Sequence, residues 1–436
     1  MRLLPLFWKS GALLGLFFFA TGEGWTQRPP PKPLPIKLTA KINNRFNWDT
    51  QKDNLFEEKS KTTTDINAQV KYLPNPTVQA VAGQWMVDGK VRPYNIYLNL
   101  ASEHINLRLG NQIVRWGKAD EISPLDILNP EDLTQGLTKT RADRKIPVPM
   151  ANLEFLTDYL NLQGIFIPFF EKSAFYYSGD DWSYFGHLEK KYGPIGIQEK
   201  SPAQTLKDAG YGGRLSGTIG RIDLALVYLN HRRDTPSMAA FPIPPPPPPP
   251  GHEASVEDLV LWSKNTTVPL EFRYLREEVY GLEFETTMGS FGLRGDASYV
   301  SSHSFITSTL EEKRKPLITA VGGFDYNGPS NSYMNLSYSQ SHIRDFETSL
   351  APHKQKTSSL SGQCSVEILS GNIKLGYLGF VNLTDKSFYH NPKINVGYIP
   401  NVGIELGVDI YGGPPSSQIG FFDNNDQTYL SLTYFF

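Results

Sequence analysis

The chain has 436 residues, of which 39% are hydrophobic, 12% aromatic and 20% charged, and its formal net charge is −2. This hydrophobic content is too high for a disordered chain and too low for a bundle of membrane helices. The charge gives no reason to expect nucleic acid as a partner, and a single cysteine excludes an intrachain disulfide framework or a multi-thiolate metal site.

Residues 1–22 have the pattern of a secretory signal peptide. Arg2 and Lys9 supply positive charge, residues 11–19 are mostly apolar, and small residues follow at 20–22. An uncleaved anchor is the alternative, but this apolar segment is short for a membrane span. We therefore predict an exported chain with a Pro-rich lead-in at 23–35. No later run of about 18 apolar residues follows, so any membrane span must be a closed β-barrel.

From residue 36 onward, several segments alternate apolar residues with polar or small ones. The clearest apolar series are Ile36, Leu38, Ala40 and Ile42, and Val402, Ile404, Leu406, Val408 and Ile410. Such alternation is typical of a β-strand with two different faces. A soluble β-sandwich also alternates, but a strand length near ten residues and apolar faces that end in Tyr or Phe favour tilted membrane strands.

The alternation predicts an all-β fold, an antiparallel transmembrane barrel of about 18 strands. The predicted strands are 36–48, 61–73, 77–87, 93–101, 104–115, 151–157, 160–169, 209–219, 220–231, 271–288, 290–302, 316–326, 331–342, 357–369, 372–381, 390–399, 401–411 and 427–436. Sixteen is the alternative, because 151–157 and 160–169 have the weakest pattern.

The predicted links alternate in length along the chain. Short links fall at 74–76, 102–103, 289, 327–330 and 400, and long ones at 116–150, 170–208, 232–270, 303–315, 343–356 and 412–426. Short periplasmic turns and long external loops are typical of outer-membrane barrels. The link 232–270 carries the run Pro244 to Pro250, which we interpret as a stiff external spacer, with a ligand for a partner protein as the alternative.

The link 116–150 is the strongest candidate for function. Asn129 before Pro130 predicts a short helix that begins near Pro130. Apolar residues in this link need a surface to pack on, which favours a loop that folds into the barrel over a solvated external loop. The candidate constriction residues are Arg115, Lys118, Asp120, Glu121, Asp126, Glu131, Asp132, Lys139, Arg141 and Arg144, with most of the acids before the bases.

Residues 111–118, Asn-Gln-Ile-Val-Arg-Trp-Gly-Lys, and 123–133, Ser-Pro-Leu-Asp-Ile-Leu-Asn-Pro-Glu-Asp-Leu, carry a family resemblance. They are similar to a segment of a large porin-like family of bacterial outer-membrane proteins that is known mainly as a domain of unknown function. The resemblance implies the barrel and supplies no substrate. The link 116–150 also resembles, in position and length, the loop that narrows the pore of many porins.

A barrel of 16 to 18 strands leaves room for an aqueous channel. Alternation places these charged residues in its lumen: Lys37, Lys41, Arg45, Lys71, Arg108, Asp223, Glu283, Glu285, Arg294, Asp296, Glu367, Lys374, Lys393, Glu405 and Asp409. Glu283 and Glu285 lie two apart on one strand, so a polar wall explains them better than acid–base catalysis. Both signs of charge are present, which leaves the ion preference open.

The last strand places Leu430, Leu432, Tyr434 and Phe436 on one face. This pattern resembles the C-terminal strand that the barrel-assembly machinery recognises. No ligand spacing for a metal and no cofactor motif is present, so we predict neither.

These observations predict a porin-like channel in the outer membrane of a Gram-negative bacterium, without enzyme activity, for passive diffusion of small hydrophilic solutes or ions. The expected partners are outer-membrane lipid, the barrel-assembly machinery and the solutes, with homo-oligomerisation left open. One alternative is a barrel that exports or docks a polymer or mediates adhesion. A weaker one is a lipid hydrolase; Ser102 and His104 are its nearest pair, but alternation turns His104 toward the lumen.

Overall fold

A computed structural model describes residues 35–50, 60–239, 256–307, 311–350, 353–415, 417 and 419–436. The predicted signal peptide, the lead-in except Pro35, and the polyproline run lie outside the described residues. In the part of the chain that the structure describes, no helix is long and apolar enough to cross a membrane.

Eighteen antiparallel strands form a closed barrel, which confirms the predicted fold class. The strands are β1 (Ile36–Asp49), β2 (Ser60–Asn75), β3 (Val78–Val87), β4 (Lys90–Ala101), β5 (Ile105–Gln112), β6 (Val148–Leu156), β7 (Leu160–Ile167), β9 (Gly210–Ile219), β10 (Ile222–Arg232), β13 (Arg276–Met288), β14 (Phe291–Ile306), β15 (Glu312–Asn327), β16 (Tyr333–Ile343), β17 (Lys356–Ile368), β18 (Ile373–Asn382), β19 (Phe388–Val396), β20 (Val402–Gly412) and β21 (Gln427–Phe435). The barrel closes because β1 pairs with both β2 and β21. Strands β6 and β7 are present, so the count is 18 rather than 16.

The two faces of the barrel wall differ sharply in polarity. On β13, the outward side chains of Leu282 and Phe284 are 45% and 37% exposed, whereas Glu283 between them is 1% exposed. On β16, Leu336 is 54% exposed and the neighbouring Ser337 is 2% exposed. This is the reverse of a water-soluble protein, where apolar side chains are buried and carboxylates exposed. The alternation in the sequence therefore arises from an apolar exterior and a polar interior.

One end of the barrel carries only short turns among the described links, and the other carries the long connections. The described residues of the connections 113–147, 168–209, 233–275, 344–355 and 413–426 lie at the long-loop end. The predicted long link 303–315 is wrong, because pairing resumes after a bulge with His303 opposite Lys315 and continues to Ile306 and Glu312. The strand predicted at 104–115 is shorter in the structure. It ends at Gln112, where the chain turns inward.

Two of the long connections fold together into a structure that we call the cap, residues 168–209 and the described parts of 233–275. The cap contains β8 (Ile197–Lys200), β11 (Ser237–Met238) and β12 (Leu270–Arg273) in a three-stranded sheet, with α2 (Gly186–Tyr192) and α3 (Val256–Thr266). Its apolar core contains Phe185, Leu188, Ile195, Leu259, Val260, Leu270 and Phe272. The predicted strand 271–288 is therefore two strands: β12 pairs with β8 and β11 in the cap, and β13 pairs in the barrel.

Candidate functional site

The connection between β5 and β6, residues 113–147, folds into the barrel; we call it the inner loop. Its first turn is bound by two lumen carboxylates. Gly117 N donates to Glu283 Oε1 at 2.9 Å, and Lys118 N and Ala119 N each donate to Asp296 at 2.8 Å. A charged acceptor shortens and strengthens such bonds. The sequence predicted that both carboxylates face the lumen, and both bind the inner loop.

Gly117 explains how the backbone comes so close to the wall. Its φ is +90°, a conformation that L side chains rarely adopt. A Cβ at this position would collide with Ser123 Oγ and lie 2.9 Å from Asp296 Oδ2. Glycine is therefore required for the contact between the inner loop and Asp296.

Asp120 adds a contact to β14 and extends the attachment to two further strands, β16 and β17. Its carboxylate accepts from Arg294 Nη1 at 3.2 Å, and from Tyr333 Oη and Gln363 Nε2 at 3.3 Å each. Lys118 Nζ also lies 2.7 Å from Glu285 Oε2. The inner loop thus contacts the lumen side of β13, β14, β16 and β17.

The other side of the inner loop is bound to the first strands of the barrel. Arg45 Nη1 donates to Thr138 O at 2.9 Å, Lys139 Nζ lies 2.7 Å from Asp65 Oδ2, and Asp132 Oδ2 lies 3.2 Å from Arg92 Nη1. These contacts are made to β1, β2 and β4. The inner loop therefore reaches from one wall of the lumen to the other.

Within the inner loop, the predicted acidic and basic halves pair with each other. Asp126 lies within 3.6 Å of Arg115, Arg141 and Lys145, and Glu131 contacts Arg141, Arg144 and Lys145 at 2.9 to 3.3 Å. Burial alone would raise the pKa of Glu131, but these three cations lower it to about 2. Asp126, Glu131 and Arg144 thus fold the inner loop, whereas Lys118, Asp120, Asp132 and Lys139 attach it to the wall.

The predicted helix from Pro130 is wrong. Instead of capping a helix, Asn129 accepts from Val114 N and donates to Gln112 O and Ile146 O, which joins the two ends of the inner loop. The short helix α1 begins later, at Arg141–Arg144, after the N-cap residue Thr140. Extended pairing of Glu131 with Lys145 occupies the position where the helix was expected.

Apolar residues of the inner loop pack on the wall, as their composition suggested. Leu125 and Leu128 are 1% and 4% exposed and lie in a cluster with Val227, Leu229 and other wall residues. Glu121 accepts from Arg141 N at 3.1 Å and stays within the inner loop.

The remaining predicted lumen residues lie on the inner face of the wall, and of these Arg45 also binds the inner loop, at Thr138 O. Arg45 pairs with the buried Asp409, Lys393 with Glu405 at 3.5 Å, and Asp223 accepts from Thr218 Oγ1. The other members of this set are Lys37, Lys41, Lys71, Arg108, Glu367 and Lys374.

The assembly-signal residues Leu432, Tyr434 and Phe436 are 37–63% exposed, and Leu430 is partly exposed.

Sequence reasoning missed an apolar patch inside the lumen. Trp182 of the cap packs with Tyr389 and Tyr411 of β19 and β20, beside Leu378 and Phe380 of β18. The signal was present in β18, where Leu375 and Tyr377 on one face alternate with Leu378 and Phe380 on the other. This patch is separate from the apolar wall at Val227 and Leu229, on which the inner loop packs.

The described residues contain no assembled site for lipid hydrolysis or for a metal ion. Ser102 Oγ donates to Ile105 O within a turn, and His104 lies in that same turn, outside β5. Among the described residues, no group of three or more His, Cys, Asp and Glu side chains is placed to hold a metal ion.

A family model described as "Protein of unknown function (DUF1302)" matches residues 93–425, most of the chain. No curated protein matches the chain in sequence. Several solved structures are similar. A loop-deletion mutant of OmpT, an outer membrane protein of Vibrio cholerae, is 8% identical, with 92% of this chain and 99% of that chain covered and a TM-score of 0.42.

A mutant of the porin of Rh. blastica is 9% identical, with 92% of this chain and 100% of that chain covered and a TM-score of 0.40. The outer membrane channel DcaP of Acinetobacter baumannii is 11% identical, with 92% and 97% covered and a TM-score of 0.42.

Proposed function

The chain belongs to the DUF1302 family of proteins of unknown function, and we propose that it forms an outer-membrane channel through which small hydrophilic solutes or ions diffuse passively past the inner loop. The closed barrel supports a membrane location, because every strand has two hydrogen-bonded neighbours and no polar edge faces lipid. Its outward Leu, Phe and Tyr side chains supply the apolar surface that lipid requires. The short-turn end is then periplasmic and the long-loop end external.

The position of the inner loop carries the proposal. Eighteen strands form a barrel wide enough for water, and a segment bound to opposite walls narrows that space. Beside the inner loop, a polar cavity of about 130 Å³ remains against β1 to β4, lined by Lys41, Asn43, Asp65, Lys139 and Asp143, among other residues. Charges of both signs line it, which suits hydrated solutes.

A second candidate is a barrel closed by the inner loop and cap that docks or exports a polymer. The observation that favours it is the reach of the inner loop, from Asp120 on one wall to Lys139 on the other. Such a barrel would conduct only when the inner loop is released.

Single-channel conductance in a planar bilayer separates the two candidates. The exported chain is compared with a variant in which residues 118–145 are replaced by a short Gly-Ser linker. Steady openings that become larger in the variant support a constricted channel. A silent chain whose variant conducts favours the docking barrel. Absence of conductance in both, with heat-modifiable mobility as the check that each barrel is folded, contradicts the channel.

A further inference from the structure

A second cavity, of about 370 Å³, lies inside the barrel between the inner loop, the cap and the wall at β18 and β19. Its size is within the range of sites for small organic ligands, about 300–1,000 Å³. It is formed by different residues from the polar cavity at β1 to β4. The cavity therefore offers a separate environment within the same lumen.

One side of this cavity is apolar. Phe380 and Leu378 project from β18, Tyr389 from β19, and Trp182 lies across from them on the cap. Trp182 is held in place by ring contacts with Tyr411 at 5.4 Å and Phe422 at 5.6 Å between centroids. Aromatic walls favour the hydrocarbon part of a ligand, because water leaves apolar surface on binding.

The other side presents a buried guanidinium. The Arg144 side chain is 8% exposed; its Nε donates to Glu131 Oε2 at 3.1 Å and its Nη1 donates to Lys139 O. Among the described residues, no acceptor is bonded to Arg144 Nη2. A buried guanidinium with unused donors favours an oxygen acceptor, and a carboxylate most strongly.

Four charged residues line the cavity, the carboxylates Glu121 and Glu131 and the cations Arg141 and Arg144. All three guanidinium nitrogens of Arg141 already donate, to Glu131 and to backbone oxygens of the inner loop. Arg144 Nη2 is therefore the donor that this side of the cavity offers to a ligand.

We propose that this cavity binds a small organic monocarboxylate with an apolar, ring-containing body, with the body against Phe380, Tyr389 and Trp182 and the carboxylate on Arg144. This proposal deepens the proposed channel function, on which it rests for the role of the ligand as the transported solute. The binding itself does not depend on an open pore.

Isothermal titration calorimetry of the purified chain tests the site with two matched probes, phenylacetate and phenylacetamide, which differ in the carboxylate. Saturable binding of phenylacetate, at least about tenfold tighter than that of phenylacetamide, is expected for one charge-assisted pair. Equal affinities would overturn the role of the carboxylate, and no binding of either probe would overturn the site.

Two variants locate the site. Phe380→Ser should weaken phenylacetate binding about tenfold, and Arg144→Lys, which keeps the charge, should reduce the preference for the acid over the amide. The control Tyr94→Phe changes the other cavity and should leave both affinities unchanged. If Phe380→Ser and Arg144→Lys bind as the parent does, the site is elsewhere.

Conductance distinguishes this proposal from the channel itself. A chain that conducts but does not bind phenylacetate overturns the cavity proposal and leaves the channel standing. If the parent chain binds phenylacetate, and neither it nor the variant without residues 118–145 conducts, the cavity stands as a ligand site and the channel is contradicted.

Discussion

The inner loop and the cap are both long connections at the same end of the barrel, yet they differ in what they are held to. The inner loop is attached to the lumen wall, by hydrogen bonds and ion pairs as at Glu283 and Asp296 and by the apolar packing of Leu125 and Leu128. The cap packs around its own buried side chains, including Val260 and Leu270, both 0% exposed. The position of the inner loop thus depends on the wall, whereas the cap supplies its own core.

This difference indicates which substitutions should move the inner loop and which should loosen the cap. Buried ion pairs contribute little net stability compared with apolar packing, but they fix one arrangement, because breaking a pair leaves an uncompensated charge. Apolar packing is less directional and less sensitive to charge. We expect charge changes to move the inner loop and apolar truncations to loosen the cap.

The largest loss of stability in the inner loop is expected from substitution of Lys145, which is buried with Asp126 and Glu131. Lys145→Met leaves these carboxylates without one of their cations, at a cost of about 3–5 kcal/mol to the folded inner loop. Hydrogen exchange of residues 113–147 should accelerate strongly. The control Lys191→Met removes an exposed cation of the cap and should leave that exchange unchanged. Retained protection in Lys145→Met would show that the ion network is not needed.

Leu270→Ala tests the cap in the same way. The side chain is fully buried, so its truncation should cost the cap about 2–5 kcal/mol. Limited proteolysis should then cut residues 168–209 and 233–275 faster, while the amides of Gly117, Lys118 and Ala119 keep their protection. Loss of protection at those amides would contradict the independence of the inner loop from the cap.

The smallest change in the protection of the inner loop is expected from mild acid. The inner-loop cations hold the pKa of Glu131 at about 2, below its ordinary 4.5. Because the folded pKa is the lower one, this stabilisation is complete above about pH 4.5 and is lost as pH falls through about 2. Hydrogen exchange of the inner loop, corrected for its intrinsic pH dependence, should show equal protection at pH 7 and pH 4.5. Release of the inner loop near pH 4.5 would contradict the pairing of Glu131.

The barrel could be predicted because alternate residues of a strand match two environments, the apolar exterior and the polar lumen. Leu282, Glu283 and Phe284 show this pattern. Alternation also predicted a lumen position for Glu283 and Asp296, which bind the inner loop. It could not show which charges meet, since Asp120 and Gln363 are 243 positions apart in the chain and come together only in the closed barrel.

Local signals failed where long-range contacts decided the structure. Asn129 before Pro130 predicts a helix, but the Asn129 side chain binds the backbone at Gln112 and Ile146 instead. The cavity at Phe380 was missed because alternation assigns a face to a residue and does not reveal that Trp182 of the cap covers it.

The most direct test of the account is the single-channel conductance of the double variant Glu283→Gln/Asp296→Asn, which weakens the attachment of Gly117, Lys118 and Ala119. Its matched control is Asp223→Asn/Glu405→Gln, which removes two lumen charges that do not bind the inner loop. We predict that the first variant conducts more than the parent chain, approaching the variant without residues 118–145, and that the control changes conductance little. Equal conductance of the two double variants would contradict the claim that the anchored inner loop narrows the pore.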